Sequence, residues 1–232
     1  MHWKRVLFHL KNHLYESWLY FQIKKSEFFT EKEIKKRFYK DAKYKKLDQS
    51  LLAKYRFRSP YRISKDYLQN LGEEEIHTYG ETPLPTIAKI IQEARLSSSD
   101  FFVEMGSGRG RISFFISHFV GCTVWAIERI PTFVEIAKKL AAQFYCSNIS
   151  FFCQDMTKMD ISFATIVYFY GLCLPKEKLQ NAIQCLENMV LGSKVITVSY
   201  PLCEYTPYFE VEKRFLGKLP WGEAAFFINK KI

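Results

Sequence analysis

Short buried strands alternate with helical segments from residue 101 onward, and this alternation limits the fold more than any other feature of the chain. The strands are rich in Val, Ile and aromatic residues and read FFVEM, TVWAIE, ISFFCQD, ATIVYFY and KVITVSY. Helical segments are predicted between them at residues 109–119, 132–145 and 176–190. Because strands joined by crossover helices run parallel, the pattern predicts a Rossmann-like, doubly wound α/β sheet.

The end of the chain departs from that alternation. The segments YFEVEKRF and EAAFFINKK are separated by LGKLPWG, with no helical segment between them. This spacing predicts a terminal antiparallel hairpin added to the sheet. With 232 residues, 48% of them hydrophobic, the chain can form one sizeable α/β domain and a smaller appendage.

The first 60 residues carry the whole positive charge excess. They contain 16 Lys and Arg against 6 Asp and Glu, whereas the remaining residues contain 18 of each. Helical periodicity over residues 3–21 predicts an amphipathic helix. A second helix is expected to begin at TEKE, where Thr30 can cap and Glu33 can reach back, and to run to Leu51. We therefore predict a small basic helical N-terminal domain, residues 1–65, ahead of the α/β domain, residues 66–232.

Such a basic segment is suited to contact with nucleic acid or an acidic protein face, although a solvated helical face has the same composition. Contact of residues 3–21 with a membrane surface is the weaker interpretation, because packing on the neighbouring domain explains the same apolar stripe. No stretch is apolar enough to predict a signal peptide or a membrane span. Six scattered cysteines without a CxxC pair indicate a reduced, cytoplasmic compartment and predict no zinc or other metal site.

Three glycines lie at alternate positions directly after the first predicted strand, in VEMGSGRGRISFF. Gly106, Gly108 and Gly110 allow positive φ and let a ligand approach the main chain. In a doubly wound sheet, this first turn is where a ligand binds. The spacing differs from the G-x-G-x-x-G of dinucleotide sites, and Glu104 at the strand end would repel a pyrophosphate and attract an ammonium group.

Two further acids end the next two predicted strands. Glu128 lies 24 residues after Glu104, where a carboxylate can accept both hydroxyls of a ribose. Asp155 can accept from an adenine amino group, and Met156 with Trp125 or Ile127 can pack against the ring. Any one of these acids alone would be explained as a solvated strand end. Together they indicate a nucleoside with a cationic amino-acid end, which is S-adenosylmethionine.

This constellation resembles the class I, seven-stranded S-adenosylmethionine-dependent methyltransferases over residues 76–231. Their glycine motif matches residues 104–110, which adds Ser107 to the implied cofactor contacts, and their ribose and adenine acids match Glu128 and Asp155. The upstream segment TYGETPLPTIAKII, Thr78 to Ile91, resembles histone-lysine methyltransferases without a SET domain, of the disruptor-of-telomeric-silencing type. It is also similar to small protein-lysine methyltransferases. The resemblance implies that four residues of this segment close over the cofactor: Tyr79, Gly80, Glu81 and Thr82.

Where those histone enzymes have paired asparagines after the fourth strand, this chain reads YFYGLCLP, and it has no N-P-P-Y tetrapeptide. The absence of that tetrapeptide disfavours methylation of an adenine amino group or a glutamine amide. We expect direct in-line methylation of a protein lysine, with Tyr170 and Tyr79 as the catalytic candidates that guide the lysine stem. Tyr200 and Trp221 are either further wall residues or core residues. A regular strand places Phe169 and Tyr170 on opposite faces, so only one of them can line the site.

The resemblance and the basic segment together make an acidic protein or nucleoprotein the expected substrate. An RNA methyltransferase that uses the basic helices on phosphates is one alternative. A non-catalytic module that keeps the fold and the cofactor is another, because a fold alone does not establish an activity. The number of methyl groups added and the oligomeric state do not follow from the sequence.

Overall fold

The structure is a computed structural model, and it describes residues 25–76, 78–172 and 174–232. The helix predicted over residues 3–21 lies outside the described residues. Within them, no helix is long and apolar enough to cross a membrane.

Seven strands form a single sheet. They are β1 Phe101–Met105, β2 Thr123–Glu128, β3 Ile149–Cys153, β4 Ile166–Phe169, β5 Lys194–Val198, β6 Phe209–Leu219 and β7 Gly222–Lys231. Their spatial order is β3-β2-β1-β4-β5-β7-β6. The first five are parallel, and β7 pairs antiparallel with both β5 and β6. The predicted doubly wound sheet with a terminal hairpin is confirmed, and both hairpin strands are longer than predicted.

Seven helices accompany the sheet in the described part of the chain. Residues 25–37 are helical and are called α1; the others are α2 Ala42–Lys54, α3 Pro60–Asn70, α4 Leu84–Ala94, α5 Arg111–Phe119, α6 Pro131–Gln143 and α7 Lys176–Glu187. Helices α3 and α4 were not predicted from the sequence. For α3 the signal is nonetheless present, because the Ser59 hydroxyl caps the helix and Pro60 occupies its first position.

The predicted start of the second helix at Thr30 is wrong. Residue 30 lies inside α1, and Glu33 accepts from Arg37 one turn later at 2.7 Å instead of reaching back to a cap. The chain then turns at residues 38–41, and α2 begins where the Asp41 side chain accepts from the main-chain nitrogen of Tyr44 at 2.8 Å.

Apolar periodicity did not reveal this break because the side chains on both sides of it pack against the same residue. The rings of Phe38 and Tyr44 lie 4.8 Å and 5.6 Å from the ring of Phe115 in α5. The two helices therefore present one continuous apolar stripe to the neighbouring helix. The domain boundary at residue 65 stays a prediction.

Two apolar clusters cover the two faces of the sheet. On one face, Phe102 and Ile166 of the strands join side chains of α1, α2, α4, α5 and α6 in a single buried cluster. On the other face, Val103 and Val167 join Ile183 of α7 and its neighbours. Because alternate strand residues point to opposite faces, Glu104 projects toward the face that carries α5.

Candidate functional site

A cleft of about 420 Å³ opens at the carboxyl ends of β1, β2 and β4. Tyr170, one of the predicted catalytic residues, lines it. All but one of the predicted cofactor-binding residues also line it: Tyr79, Gly80, Glu81, Thr82, Glu104, Gly106, Ser107, Gly108, Glu128, Asp155 and Met156. The exception is Gly110.

The turn from β1 into α5 requires its glycines. Gly106, Gly108 and Gly110 have φ values of +81°, +53° and +79°, which side chains rarely adopt. A Cβ on Gly108 would lie 3.0 Å from the ring of Tyr79, and one on Gly110 would lie 2.5 Å from the ring of Phe151. Gly110 therefore lets α5 approach the sheet, whereas Gly106 and Gly108 expose main chain to the cleft.

Glu128 at the end of β2 is fixed by main-chain donors. Its Oε2 accepts from the nitrogen of Gly108 at 2.8 Å, and its Oε1 accepts from the nitrogen of Ile130 at 2.9 Å. Burial raises the pKa of Glu128 although these hydrogen bonds favour the charged form. Each oxygen keeps a lone pair for a further donor, as two neighbouring ribose hydroxyls would require.

Glu104 at the end of β1 is 2% exposed and lacks a cationic partner among the residues that the structure describes. The hydroxyl of Ser113, in the first turns of α5, donates to its carboxylate. Burial raises the pKa of Glu104 to about 8, and the nearby carboxylates of Glu81 and Glu128 add to the shift. The site therefore has the features of a receptor for an external cation.

Residues 78–82, called the strap here, form part of the cleft wall, and the ring of their Tyr79 lies next to Gly108 of the glycine turn. Glu81 of the strap pairs with Arg109: Nη2 donates to Oε2 at 2.6 Å, and Nε lies 2.6 Å from Oε1. The hydroxyl of Tyr79 also donates to Glu81. Burial opposes ionisation of Glu81, but Arg109 outweighs it and lowers the pKa of this carboxyl.

Asp155 and Met156 belong to a single 3-10 turn after β3. One carboxylate oxygen of Asp155 accepts from the nitrogen and the hydroxyl of Thr157 at 2.9 Å and 2.8 Å. Burial acts against ionisation, but these two hydrogen bonds prevail and lower the pKa of Asp155. The residue is exposed at the cleft rim, where it stays ionised and can accept from a bound ligand.

The aromatic candidates separate into two groups. Tyr79 and Tyr170 line the cleft, whereas the other aromatic candidates do not: Trp125, Tyr200 and Trp221. Of the two residues considered for packing against the adenine ring beside Met156, Ile127 lines the cleft and Trp125 does not. The expectation that Phe169 and Tyr170 point to opposite faces is confirmed, because Phe169 is completely buried in the cluster on the α7 face. Tyr61 of α3, which the sequence analysis did not single out, places its ring 5.1 Å from that of Tyr79.

Sequence reasoning also missed the charged partners of the site. Arg109 lies within the glycine motif itself, and Ser113 follows one helical turn later, so spacing alone could have suggested both. Glu73 could not have been found in this way. Its carboxylate accepts from Lys178 of α7 at 2.6 Å and from Arg129 after β2 at 2.9 Å, which joins three distant parts of the sequence at the cleft rim.

The described residues contain no group of three or more His, Cys, Asp and Glu side chains that could hold a metal ion.

The chain is similar in sequence to known histone methyltransferases over the region that forms the cleft. Residues 63–169 match the family described as histone methylation protein DOT1. That span contains the strap, the glycine turn and all three strand-end acids. A curated relative, a histone-lysine N-methyltransferase specific for H3 lysine-79 from Gibberella zeae, is 26% identical over 98 residues. The match covers 42% of this chain and 18% of that protein, so the chain spans less than a fifth of its relative.

Solved structures show the same fold at low identity. An RNA methyltransferase from Salinibacter ruber in complex with S-adenosyl-L-homocysteine has a TM-score of 0.54 and 23% identity, over 65% of this chain and 94% of that one. The magnesium protoporphyrin IX methyltransferase of Synechocystis PCC 6803 with bound SAM has a TM-score of 0.53 and 13% identity, over 75% and 98%. The predicted resemblance to class I methyltransferases of the DOT1 type is confirmed.

Proposed function

We propose that this protein is an S-adenosylmethionine-dependent methyltransferase that methylates a lysine side chain of a protein. The observation that supports it most is the buried Glu104, without a cationic partner among the described residues, at the carboxyl end of a parallel strand. It lies within the DOT1 match, on the cleft that the strap and the glycine turn enclose.

The cleft residues fit this cofactor. Glu104 would meet the ammonium group, Glu128 would accept from the ribose and Asp155 from the adenine amine, while Ile127 and Met156 would supply apolar contact for the ring. The Ser107 hydroxyl is buried and has no hydrogen-bond partner among the described residues, so it is ready for a ligand atom. S-adenosylmethionine, when bound, supplies an electrophilic methyl group.

The chain contributes mainly position and shielding to the transfer. Tyr79 and Tyr170 line the cleft and guide the lysine stem, and their ring faces stabilise the cationic product. The lysine would have to arrive neutral, because only the free amine has a lone pair that could accept the methyl group that the cofactor would supply.

The basic residues of the N-terminal helices would dock an acidic protein or nucleoprotein. Exposed side chains supply this charge on α1 and α2 and in the loop that follows: Lys32, Lys35, Lys36, Lys43, Lys45, Lys46, Arg56 and Arg58. We place the enzyme in the reduced cytoplasm, in keeping with its free cysteines. The same charge favours a second candidate, an RNA methyltransferase, whose binding would weaken strongly with salt.

Tritium transfer tests the proposal. The chain is incubated with labelled S-adenosylmethionine and a lysate of its source cell, and the products are digested with protease or with ribonuclease. Label that survives ribonuclease and is released by protease, with methyl-lysine in the labelled peptide, is the expected result. Label lost to ribonuclease would identify the RNA enzyme instead. A variant with Ala at positions 128 and 155 provides the background.

A further inference from the structure

Arg111 occupies the first position of α5, directly after the glycine turn, and is one of the residues that line the cleft. The side chain is 11% exposed. An arginine is unfavourable here for two reasons. The amino end of a helix carries a partial positive charge, which repels a guanidinium. The cleft is also proposed to receive a cofactor with a net positive charge, and a buried cation in its wall would oppose binding.

Two acids from the N-terminal helices compensate Arg111. Its Nε and Nη2 donate to Oδ1 and Oδ2 of Asp48 in α2, both at 2.8 Å, in a parallel two-bond arrangement. Its Nη1 donates to Glu31 of α1 at 3.0 Å. Asp48 is 1% exposed, and the hydroxyl of Tyr39 donates to its Oδ2 at 2.8 Å.

These contacts connect two regions that the sequence analysis placed in separate domains. Asp48 and Glu31 lie in the basic N-terminal segment, yet their carboxylates point away from its charged surface and toward the glycine turn. Because Arg111 remains charged at any physiological pH, the field that it imposes on the cleft depends on these two acids.

We infer that Asp48, with Glu31, sets the charge selectivity of the cleft by neutralising Arg111, so that the site accepts the positively charged cofactor over its neutral product. Asp48 is a positioning residue, since it acts through Arg111. The inference rests on the proposed function, because it assumes that the cleft binds S-adenosylmethionine.

Binding of S-adenosylmethionine and of S-adenosylhomocysteine to the whole chain tests this directly. The two ligands share every group except the methyl group, whose loss removes the sulfonium charge, so their affinity ratio isolates the charge effect. Asp48→Asn is expected to weaken S-adenosylmethionine on the order of tenfold more than S-adenosylhomocysteine. Glu31→Gln, at a partner that is 36% exposed, shifts the ratio less but in the same direction. The double variant Asp48→Asn with Arg111→Gln restores the ratio.

Two controls separate charge from structure. Tyr39→Phe removes a hydrogen bond to Asp48 without changing its charge, and Glu33→Gln removes one negative charge from α1 at a residue that pairs with Arg37. Both should leave the ratio unchanged. If Asp48→Asn does not fold, Glu31→Gln decides. Equal loss of both ligands in the folded variants overturns this inference alone, whereas a wild-type chain that binds neither ligand overturns the cofactor assignment and the inference with it.

Discussion

Two carboxylates face the same cleft from different parts of the molecule, and only one of them has a cationic partner among the described residues. Glu81 of the strap is neutralised by Arg109, whose guanidinium lowers the pKa of that carboxyl. Glu104 at the end of β1 receives a hydroxyl hydrogen bond from Ser113, and burial raises the pKa of its carboxyl to about 8. Both residues lie in the span that matches DOT1.

Glu81 therefore stabilises the fold through its ion pair, whereas Glu104 is available to pair with a cationic ligand. An internal ion pair satisfies Glu81 whether or not the cleft is filled. A buried carboxylate without a cation is costly, and a cationic ligand offsets that cost on binding. Variants at these positions should therefore divide between effects on stability and effects on cofactor affinity.

The largest effect is expected when both nucleoside-binding acids are removed. Replacing Glu128 and Asp155 with Ala eliminates acceptors for the ribose and the adenine, and each charged hydrogen bond is worth about 1.5–3 kcal/mol. Affinity for S-adenosylmethionine in calorimetry should fall by roughly a hundredfold or more. Asp160→Ala, which removes an exposed acid from the same β3–β4 connection, is the matched control. Unchanged affinity in the double variant would end the cofactor assignment.

Breaking the internal pair should mainly affect stability. Glu81→Gln leaves the Arg109 guanidinium buried beside a neutral amide, and the loss of one partner of such a pair costs about 3 kcal/mol. Denaturant unfolding of the free protein should show this loss. Glu93→Gln, which breaks an ion pair between α4 and β6 at Lys213 outside the cleft, should cost much less. Equal losses in the two variants would contradict the structural role assigned to Glu81.

Glu104→Gln should stabilise the free protein, whereas Glu81→Gln should destabilise it. Because the folded-state pKa of Glu104 lies above its unfolded value of 4.5, the folded state binds more protons and wild-type stability falls as pH rises from about 4.5 to 8. The variant cannot ionise, so it should be more stable than wild type by about 5 kcal/mol at pH 9 and should bind S-adenosylmethionine more weakly. Thermal melts across pH 5–9 measure the first effect. A variant that melts in parallel with wild type at every pH would refute the shift.

A smaller effect, on kcat/KM, is expected at Tyr170, which is proposed to guide the lysine stem of the substrate. Tyr170→Ala removes a ring from the cleft and should lower kcat/KM for a protein acceptor about tenfold, while affinity for S-adenosylmethionine stays close to wild type. Trp221→Ala in the β6–β7 turn, which does not line the cleft, should alter neither quantity. A parallel loss in both variants would remove Tyr170 from the site.

The strands and the strand-end acids could be predicted because their signals are local. The predicted FFVEM and TVWAIE match β1 and β2 residue for residue, and a parallel sheet necessarily brings their carboxyl ends to one edge. The acids Glu104 and Glu128 therefore meet at the cleft without any further information. Gly110 was placed in the site by its motif, but it does not line the cleft; the absence of a Cβ there lets α5 pack closely on Phe151.

The charged partners could not be predicted because they depend on long-range contacts. Asp48 and Arg111 are separated by 63 residues, and Glu73 and Lys178 by 105. The break between α1 and α2 was hidden for a related reason, since tertiary packing on α5 preserves one apolar stripe through the turn. Propensity and periodicity report neither kind of contact.

The most direct test of the account is proton exchange on cofactor binding. Calorimetric titration of S-adenosylmethionine into the wild-type chain at pH 7, in buffers with different ionisation enthalpies, measures the protons released. Glu104 is mostly protonated at this pH when its pKa is about 8, and it must ionise to pair with the ammonium group. The account predicts release of most of a proton per cofactor bound, and none in Glu104→Gln. Tight binding with the same heat in every buffer would contradict it.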